Sequence, residues 1–445
     1  MEPVWGILFG LEEGTPTISL RRQEEVIGRS IISESEVLIS SRHFKIIKRD
    51  ISGENTYVLI DTSSNGTFLN DMDKRLPKNE EIIITSFDVI FLLRLANLKT
   101  GEQHLRSFVF VDRQTYMETK EIFKEYIIGR LLGIGCFGKV FVATTKQDKT
   151  SFALKVMKKT SDKLKEKSKQ EYDLMRTVSH PNIVEVKSLH MYTDFIFLVM
   201  ELITDGCLFD YVYRHVLEVD EIRTIITDVL KALLFLHDNK IVHRDVKMEN
   251  VLLVFSDNPI DPSKKKITSK LTDFGLGRFV GDDFKASTLC GTHNYIPPEI
   301  YKGAVVKQKM TKQIEQLNLE ECKKKKVTDA MDKKIRYDAG EADVWSCGVM
   351  LYEMTLRKNP FESMVSKDEK SESSESKSKH DNRAVSFILK GEFCKDDQYT
   401  KVDEELRDLI EHMLVVNPEE RFTVAQCLEH SFIQGRKHPM DSTKL

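Results

Sequence analysis

A short polar segment combines residue types that suit the transfer of a phosphoryl group. Residues 243–250 read His-Arg-Asp-Val-Lys-Met-Glu-Asn, and Asp273 begins a later Asp-Phe-Gly triplet. Asp245 can accept the proton of a substrate hydroxyl, and Lys247 can reach the transferred phosphate. Asn250 and Asp273 supply the hard oxygen ligands that Mg²⁺ prefers. The pattern therefore predicts a phosphoryl-transfer site with ATP and Mg²⁺ as cofactors.

A glycine-rich segment upstream belongs to the same set of motifs. Gly133, Gly135 and Gly138 follow the spacing Gly-x-Gly-x-x-Gly, and Val140 comes two residues later. Because glycine has no Cβ, a strand–turn–strand flap with this spacing can lie close over phosphates. We expect Val140 to cover the adenine. One such glycine pattern is weak evidence, but all the motifs in this order indicate a protein kinase.

The remaining nucleotide contacts are predicted from the segments between these motifs. Lys155, in Phe-Ala-Leu-Lys, is expected to hold the α- and β-phosphates, with Glu171 as its partner carboxylate. An apolar strand over 195–202 is expected to lead into the hinge between two lobes. The residues predicted to line the adenine pocket there are Met200, Glu201 and Ile203.

A decayed kinase that keeps only the fold is the alternative reading of these motifs. Decay usually removes one of four residues, and all four are present: Lys155, Asp245, Asn250 and Asp273. Completeness favours an active enzyme over a silent phosphopeptide-binding scaffold.

The first hundred residues have a different pattern, in which short apolar runs alternate with turn residues. Many short strands at close spacing predict an all-β antiparallel sandwich. Three polar clusters fall at its turns, around Gly28-Arg29, around Ser40–His43 and over 64–70, which reads Ser-Asn-Gly-Thr-Phe-Leu-Asn.

These clusters resemble those of the forkhead-associated (FHA) domain, a β-sandwich that binds phosphothreonine. The resemblance covers residues 1–112 and implies a phosphopeptide-binding site. Arginine and hydroxyl groups on loops of a rigid sandwich are suitable donors to a phosphate. The residues assigned to this site are Arg29, Ser40, Ser41, Ser64 and Asn65. His43 is expected to brace the loop from inside.

The whole chain is thus predicted to be a multidomain protein: an all-β FHA sandwich over 1–112, a linker over 113–124, a two-lobed α+β kinase domain over 125–433 and a tail over 434–445. Inserts are expected at about 256–270, 303–337 and 363–382; the last is rich in Ser, Lys, Glu and Asp and is expected to be disordered. Glu299 and Arg421 are expected to form a buried, structural ion pair.

Composition excludes some classes of function. The 445 residues carry a net charge of −3, so no global field favours nucleic acid, and no apolar run reaches membrane-spanning length. Seven scattered cysteines fit a reducing compartment.

An FHA domain followed by a kinase domain resembles the checkpoint family of nuclear serine/threonine kinases. The damage-response members usually carry Ser-Gln and Thr-Gln sites, and this sequence contains neither. That departure favours the meiosis-specific kinases of yeasts, fission yeast above all, which act on chromosome axes. A DNA-damage or replication effector kinase is the alternative. The resemblance implies a nuclear location and a phosphothreonine-containing adaptor, with the chromosome axis as a candidate place for it.

The family resemblance also predicts how the enzyme is activated and which substrates it selects. Thr288 lies where related kinases carry an activating phosphothreonine, and Thr292 is a second candidate. Transient self-association would let two chains phosphorylate each other. Glu249 is expected to select substrates with an upstream arginine, although Cys207 replaces the second carboxylate of the usual pair.

Overall fold

The fold is taken from a computed structural model that describes residues 2–32, 38–96, 103–135, 138–159, 178–258, 265–273, 293–303, 339–368 and 377–435. Two compact units divide the chain. The first comprises Met1–Asp162 with Val186–Leu202, and the second comprises Lys163–Glu185 with Ile203–Leu445.

The N-terminal part of the first unit is the predicted β-sandwich. Its strands are β1 (Gly6–Gly10), β2 (Ile18–Leu20), β3 (Glu24–Ile27), β4 (Phe44–Ile51), β5 (Glu54–Asp61), β6 (Phe68–Leu69), β7 (Ile82–Ile84), β8 (Val89–Ala96) and β9 (Gln103–Asp112). One sheet has the order β2-β1-β9-β8-β6 and the other β3-β4-β5-β7, with every pair antiparallel. A single helical turn, α1 (Arg29–Ile32), follows β3.

Strands β8 and β9 are apolar on both faces over residues 89–92 and 108–111. One face of each contributes to the core between the two sheets, where Ile90, Leu92, Phe108 and Phe110 are buried. The alternate residues belong to a second buried cluster outside the sandwich. A strand that is buried on both faces reads as a continuous apolar run because successive side chains point in opposite directions.

The predicted linker is a helix, α2 (Arg113–Glu125). Its N-terminus is stabilised by Asp112, whose carboxylate accepts hydrogen bonds from the backbone of Gln114 and Thr115 at 2.9 and 3.1 Å. The helix continues without a gap into the first strand of the next sheet, so the connection between the domains is structured.

The rest of the first unit is one antiparallel sheet of order β10-β11-β12-β14-β13. Its strands are β10 (Tyr126–Gly135), β11 (Gly138–Thr145), β12 (Ser151–Lys158), β13 (Val186–Met191) and β14 (Phe195–Met200). This sheet is the N-terminal lobe that the kinase motifs predicted.

The second unit is mainly helical. Its helices are α3 (Leu208–Arg214), α4 (Val219–Asp238), α5 (Ala339–Leu356), α6 (Glu362–Asp368), α7 (Lys377–Lys390), α8 (Glu404–Met413), α9 (Val424–Glu429) and α10 (Ser431–Gln434). Helix α4 buries Ile222, Ile226, Val229 and Leu233 at helical spacing, which predicts its central place in the core. A hairpin of β15 (Val251–Asp257) and β16 (Lys265–Leu271) lies beside α4.

Two of the predicted inserts fall partly in regular secondary structure. Residues 256–257 pair with 265–266 at the far end of the β15–β16 ladder, and residues 267–270 continue β16. Disorder over 363–382 is wrong for helix α6 and for the start of α7, while 369–376 lie outside the described residues. The insert at 303–337 falls outside them too, apart from residue 303. None of the described helices is both long and apolar enough to cross a membrane.

Candidate functional site

The catalytic segment forms a compact hydrogen-bonded cluster in the second unit. Lys247 Nζ lies 2.8 Å from Asp245 Oδ2 and 3.0 Å from Oδ1. Asn250 Nδ2 donates to the same Oδ2 over 2.8 Å and to the Asp245 carbonyl over 2.7 Å. These donors fix the orientation of a half-buried carboxylate, as a group that must receive a hydroxyl proton requires.

The backbone of this segment is held by a buried carboxylate from helix α5. Asp343 accepts the N–H of His243 at 2.9 Å and the N–H of Arg244 at 2.7 Å, and it also bonds His237 Nε2. Arg244 has a φ of 69°, a conformation that non-glycine residues rarely adopt. The two bonds to Asp343 stabilise this bend immediately before Asp245.

The two predicted metal ligands lie at the same end of the β15–β16 hairpin. Asn250 directly precedes Val251, which pairs with Leu271, and Asp273 follows two residues later. The N–H of Thr272 donates to the Asn250 carbonyl over 2.9 Å, which brings the two segments together. The side-chain nitrogen of Asn250 donates a hydrogen bond to Asp245. The side-chain oxygen of Asn250 is therefore the atom suited to a hard cation. The donor set therefore fits Mg²⁺.

The predicted nucleotide residues of the first unit lie on one face of its five-stranded sheet β10-β11-β12-β14-β13. Gly133 pairs with Val140 and Gly135 with Gly138, which forms the base of the predicted flap. Gly138 has a φ of 148°, and a Cβ there would lie 2.2 Å from the Val156 carbonyl, so a larger residue does not fit.

Lys155 extends the same face. It is opposite Val140 in the ladder and only 2% exposed. Met200 ends β14 opposite Ala153, and Glu201 follows it. Ile203 belongs to the second unit.

Several predicted residues are outside the part of the chain that the structure describes. They are Glu171, Thr288 and Thr292. Their assigned roles stay predictions.

The predicted phosphopeptide residues converge on one end of the sandwich. Arg29 donates from its backbone to Ser40 O at 3.0 Å and from Nε to Ile39 O at 2.8 Å. Ser40 Oγ accepts the N–H of Ser64 over 3.1 Å, and Asn65 Nδ2 donates to Leu38 O over 2.7 Å. Four of the five assigned residues are therefore joined by hydrogen bonds between loops.

Ser41, the fifth assigned residue, is exposed and lies against Gly28. A Cβ at Gly28 would be 2.0 Å from the Ser41 carbonyl, so only glycine permits this approach of the two loops. Gly28 is therefore required for the packing of the two loops, in addition to the ligand role predicted for Arg29.

His43 braces these loops from inside, as expected. Its Nδ1 accepts the N–H of Ser40 at 3.1 Å, its Nε2 contacts the Gly66 carbonyl at 3.1 Å, and the ring is fully buried. Burial lowers the pKa of His43, so the neutral ring that can accept from Ser40 is favoured.

Arg75 is a further residue beside Ser64 that the sequence patterns did not indicate. It contacts the buried Asp61 carboxylate at 3.6 Å and the Ser64 carbonyl at 3.4 Å. It was missed because nothing in the local pattern around it marks a motif.

A second group of polar side chains lies on helices α8–α10. Asp408, His412 and His430 place ligand atoms within 4.8 Å of one another. His430 Nδ1 accepts the Phe432 N–H at the start of α10, and its Nε2 bonds Asp408 over 2.9 Å. His412 Nδ1 contacts the Asp408 carbonyl. These bonds give the group a structural role in joining the helices.

The protein kinase domain family matches residues 126–314 and 331–433, which is well over half of the chain. The chain belongs to the protein kinase family. The FHA domain family matches residues 26–92, which include the loops around Arg29 and Asn65. Both predicted domains are thereby confirmed.

Three relatives match nearly the whole chain. Meiosis-specific serine/threonine-protein kinase mek1 of Schizosaccharomyces pombe is 28% identical over 98% of this chain and 88% of its own length. The probable serine/threonine-protein kinases fhkC and fhkE of Dictyostelium discoideum are each 27% identical, over 98% and 96% of this chain. The chain spans only 65% and 54% of the lengths of those two.

A solved structure has a similar fold. The crystal structure of Rad53 1-466 in complex with AMP-PNP aligns with a TM-score of 0.50, covering 97% of this chain and 100% of that one. The sequences are 23% identical, so this likeness supports the fold alone.

Proposed function

We propose that the chain is an ATP-dependent serine/threonine protein kinase that its FHA domain recruits to phosphothreonine-containing proteins. The observation that carries the proposal is the arrangement around Asp245, where Lys247 and Asn250 hold the carboxylate that would receive the substrate proton. This cluster occurs in one chain with an FHA domain that retains the loops around Arg29.

The residues of the site have separate tasks in this reaction. Asp245 orients the attacking hydroxyl and takes its proton, and Lys247 neutralises charge on the transferred group. Lys155 and the glycine flap would hold the phosphates of ATP. Mg²⁺, when bound through Asn250 and Asp273, would screen the negative charge of those phosphates. Glu171 remains the proposed partner of Lys155.

Substrate choice is proposed to depend on carboxylates beside the catalytic loop. Glu249 is exposed in the turn between Lys247 and Asn250. Its negative charge helps to raise the pKa of the buried Glu353 and of Tyr295, and Glu249 itself supplies an acidic surface beside the catalytic loop. An arginine upstream of the acceptor would be attracted to this surface.

A meiotic role is the finer part of the proposal. Supporting it are the whole-length similarity to the meiosis-specific kinase mek1 and the absence of Ser-Gln and Thr-Gln in the sequence. In this role a phosphorylated adaptor, for which the chromosome axis is the candidate place, captures the FHA domain in the nucleus. Capture raises the local concentration, and two chains phosphorylate each other at Thr288.

A DNA-damage or replication effector kinase is the second candidate. The observation in its favour is the FHA domain followed by a kinase domain, the order in which this chain resembles the checkpoint family. The two roles differ in when the protein is needed, so its abundance through the mitotic and meiotic cycles distinguishes them. Accumulation confined to meiosis supports the first role, and presence in every division supports the second.

The activity itself is tested with purified full-length protein, ATP, Mg²⁺ and serine peptides that carry arginine or alanine three residues before the acceptor. Wild-type protein should phosphorylate the arginine peptide better, and Asp245→Asn should lose at least about a hundredfold in kcat, because the proton acceptor is gone. Failure of wild-type protein to transfer phosphate would instead support a silent phosphopeptide-binding scaffold.

A further inference from the structure

The sheet that carries the glycine flap has two faces with different environments. Side chains alternate along β11, so Val140 and Lys139 point to opposite faces. Val140, paired with Lys155, is on the predicted nucleotide face. On the other face Phe141, Leu154 and Phe197 are almost completely buried.

The FHA domain covers that second face. Its residues Val89, Phe91, Val109 and Val111 belong to the same buried cluster as the side chains of β11, β12 and β14. All of these residues are in the first unit of the chain. The FHA domain and the sheet with the flap therefore share one hydrophobic core, which keeps their relative position fixed.

The FHA turn 85–88 reaches the base of the flap. Phe87 adopts a φ of 70°, and its ring packs edge-on against Phe195 and Phe197 at 4.9 and 5.3 Å between centroids. An unfavourable backbone conformation of this kind persists where the surrounding contacts over-determine it. Here the buried ring places the next residue, Asp88, beside β11.

Asp88 forms an ion pair with Lys139. Lys139 Nζ lies 2.8 Å from Asp88 Oδ1 and 3.0 Å from the Phe87 carbonyl, and the two side chains are only 17% and 14% exposed. Burial alone would raise the pKa of Asp88, but the charge of Lys139 and the hydrogen bonds from Thr85 and Asn70 bring it below its usual value.

Lys139 lies at a position where its ion pair with Asp88 can restrict the movement of the flap. It follows Gly138, pairs with Ile134 on the opposite strand of the flap and with Val156 on β12, and precedes Val140. Glycine gives the tip of the flap little intrinsic rigidity. A fixed side chain at its base limits how far the strand can move from the phosphates.

We propose that Asp88 of the FHA domain is a positioning residue for the glycine flap, which it holds through Lys139. This inference rests on the proposed function, since it assumes that the flap binds ATP. It makes the FHA domain part of the nucleotide site as well as a recruiting module.

The same carboxylate also joins the flap to the phosphopeptide loops. Asn70 Nδ2 donates to Asp88 Oδ1 over 2.8 Å, while its Oδ1 accepts the Val89 N–H over 2.9 Å. Asn70 ends the polar cluster that contains Ser64 and Asn65. Lys139 and the phosphopeptide segment are therefore fixed by one shared acceptor.

The test uses full-length protein and separates KM for ATP from kcat. Asp88→Asn and Lys139→Gln are each expected to raise KM for ATP by about tenfold, the change that follows from losing a partly buried charged hydrogen bond. The change in kcat should be smaller, because no residue that touches the acceptor is altered. The double variant should be no worse than either single variant, because both remove the same interaction.

Controls distinguish positioning from general damage. Lys139→Arg keeps the charge and should retain most of the affinity for ATP. Arg49→Gln breaks an exposed ion pair with Glu81 elsewhere on the sandwich and should leave KM unchanged. Thermal unfolding of every variant is measured together with ATP binding by titration calorimetry, which needs no turnover.

The outcomes also separate this inference from the proposed function. Wild-type protein that neither binds ATP nor transfers phosphate would overturn the proposed function. Active wild-type protein with an unchanged KM for ATP in Lys139→Gln would overturn the positioning role. If Asp88→Asn does not fold, the comparison of Lys139→Gln with Lys139→Arg still decides the question.

Discussion

Arg421 donates two hydrogen bonds to the carboxylate of Glu299, from Nη1 over 2.8 Å and from Nη2 over 2.9 Å. The arginine side chain is completely buried and the glutamate side chain is 11% exposed. Nη1 also donates to the Glu341 carbonyl, and the guanidinium lies 5.1 Å from the Trp345 ring centroid. The sequence predicted that this ion pair is structural, and the burial of both side chains confirms that role.

Removing one partner of this pair should destabilise the second unit. Arg421→Met leaves the Glu299 carboxylate buried without its cation, and we expect a loss of about 3–5 kcal/mol in the free energy of unfolding. Chemical denaturation followed by circular dichroism measures it. Arg49→Met, at the exposed pair with Glu81, is the matched control and should change little. Equal stability of Arg421→Met and wild type would contradict the structural role.

A buried acid on helix α5 should make stability depend on pH. Burial raises the pKa of Glu353 to about 7 from 4.5, despite hydrogen bonds from Tyr295 and Asn359. A group whose pKa is higher in the folded chain binds more protons when folded. Its stabilising contribution is therefore complete below pH 4.5 and is lost as the pH rises through about 7.

The variant Glu353→Gln isolates this contribution. The stability of wild type relative to the variant should fall, by up to about 3 kcal/mol, between those two pH values. Comparing the two proteins cancels the titration of other buried groups, such as His43, whose lowered pKa gives a slope of opposite sign. Parallel stability curves for the two proteins would show that Glu353 does not titrate in this range.

The catalytic residues could be predicted from the sequence because they occur in short motifs in a fixed order along the chain. The segment 243–250 and Asp273 are brought together by the β15–β16 hairpin, and the residue types and order of the motifs predicted their cluster. The docking of the FHA domain on the kinase sheet depends on which two surfaces meet, and residue spacing does not encode that. A signal was present in strands β8 and β9, whose unbroken apolar runs indicate burial on both faces. The ion pair of Asp88 and Lys139 spans the two domains and has no local pattern at all.

Phosphopeptide binding should depend on Arg29. Arg29→Ala removes the charged donor from the cluster of Ser40, Ser64 and Asn65, and affinity for a phosphothreonine peptide should fall at least about tenfold. Fluorescence anisotropy with phosphorylated and unphosphorylated forms of one peptide measures it. Arg49→Ala, also on the sandwich, is the control. If both variants bind as wild type does, Arg29 is not the phosphate ligand.

Activation is predicted to require Thr288, on sequence grounds, since this residue lies outside the described part of the chain. Thr288→Ala should have little activity, because a phosphate there could pair with Arg244 and order the segment before Glu299. Ser287→Ala is the adjacent control and should stay active. Mass spectrometry of an Asp245→Asn chain mixed with wild type tests transfer between chains. Absence of phosphate on Thr288 of the inactive chain would contradict mutual phosphorylation.

The shared core of the FHA domain and the kinase sheet should be weakened by a single truncation at Phe87. Its ring is 3% exposed and contacts Phe195 and Phe197. Phe87→Ala should cost about 3–5 kcal/mol in the free energy of unfolding of the first unit, because it leaves a cavity between the FHA domain and the kinase sheet. Alanine and phenylalanine both carry a Cβ, so the strained φ is the same in both proteins and the difference reports the ring.

Ile83→Ala is the matched control for this truncation. Ile83 lies on β7 of the same sandwich but is 68% exposed, so its loss should change stability only slightly. Hydrogen exchange followed by mass spectrometry shows where each variant opens. In Phe87→Ala, faster exchange should extend from the FHA domain to β11 and β14, since both contribute side chains to the same buried cluster. Faster exchange confined to residues 2–112 would mean that the FHA domain and the kinase sheet are not stabilised by a common core.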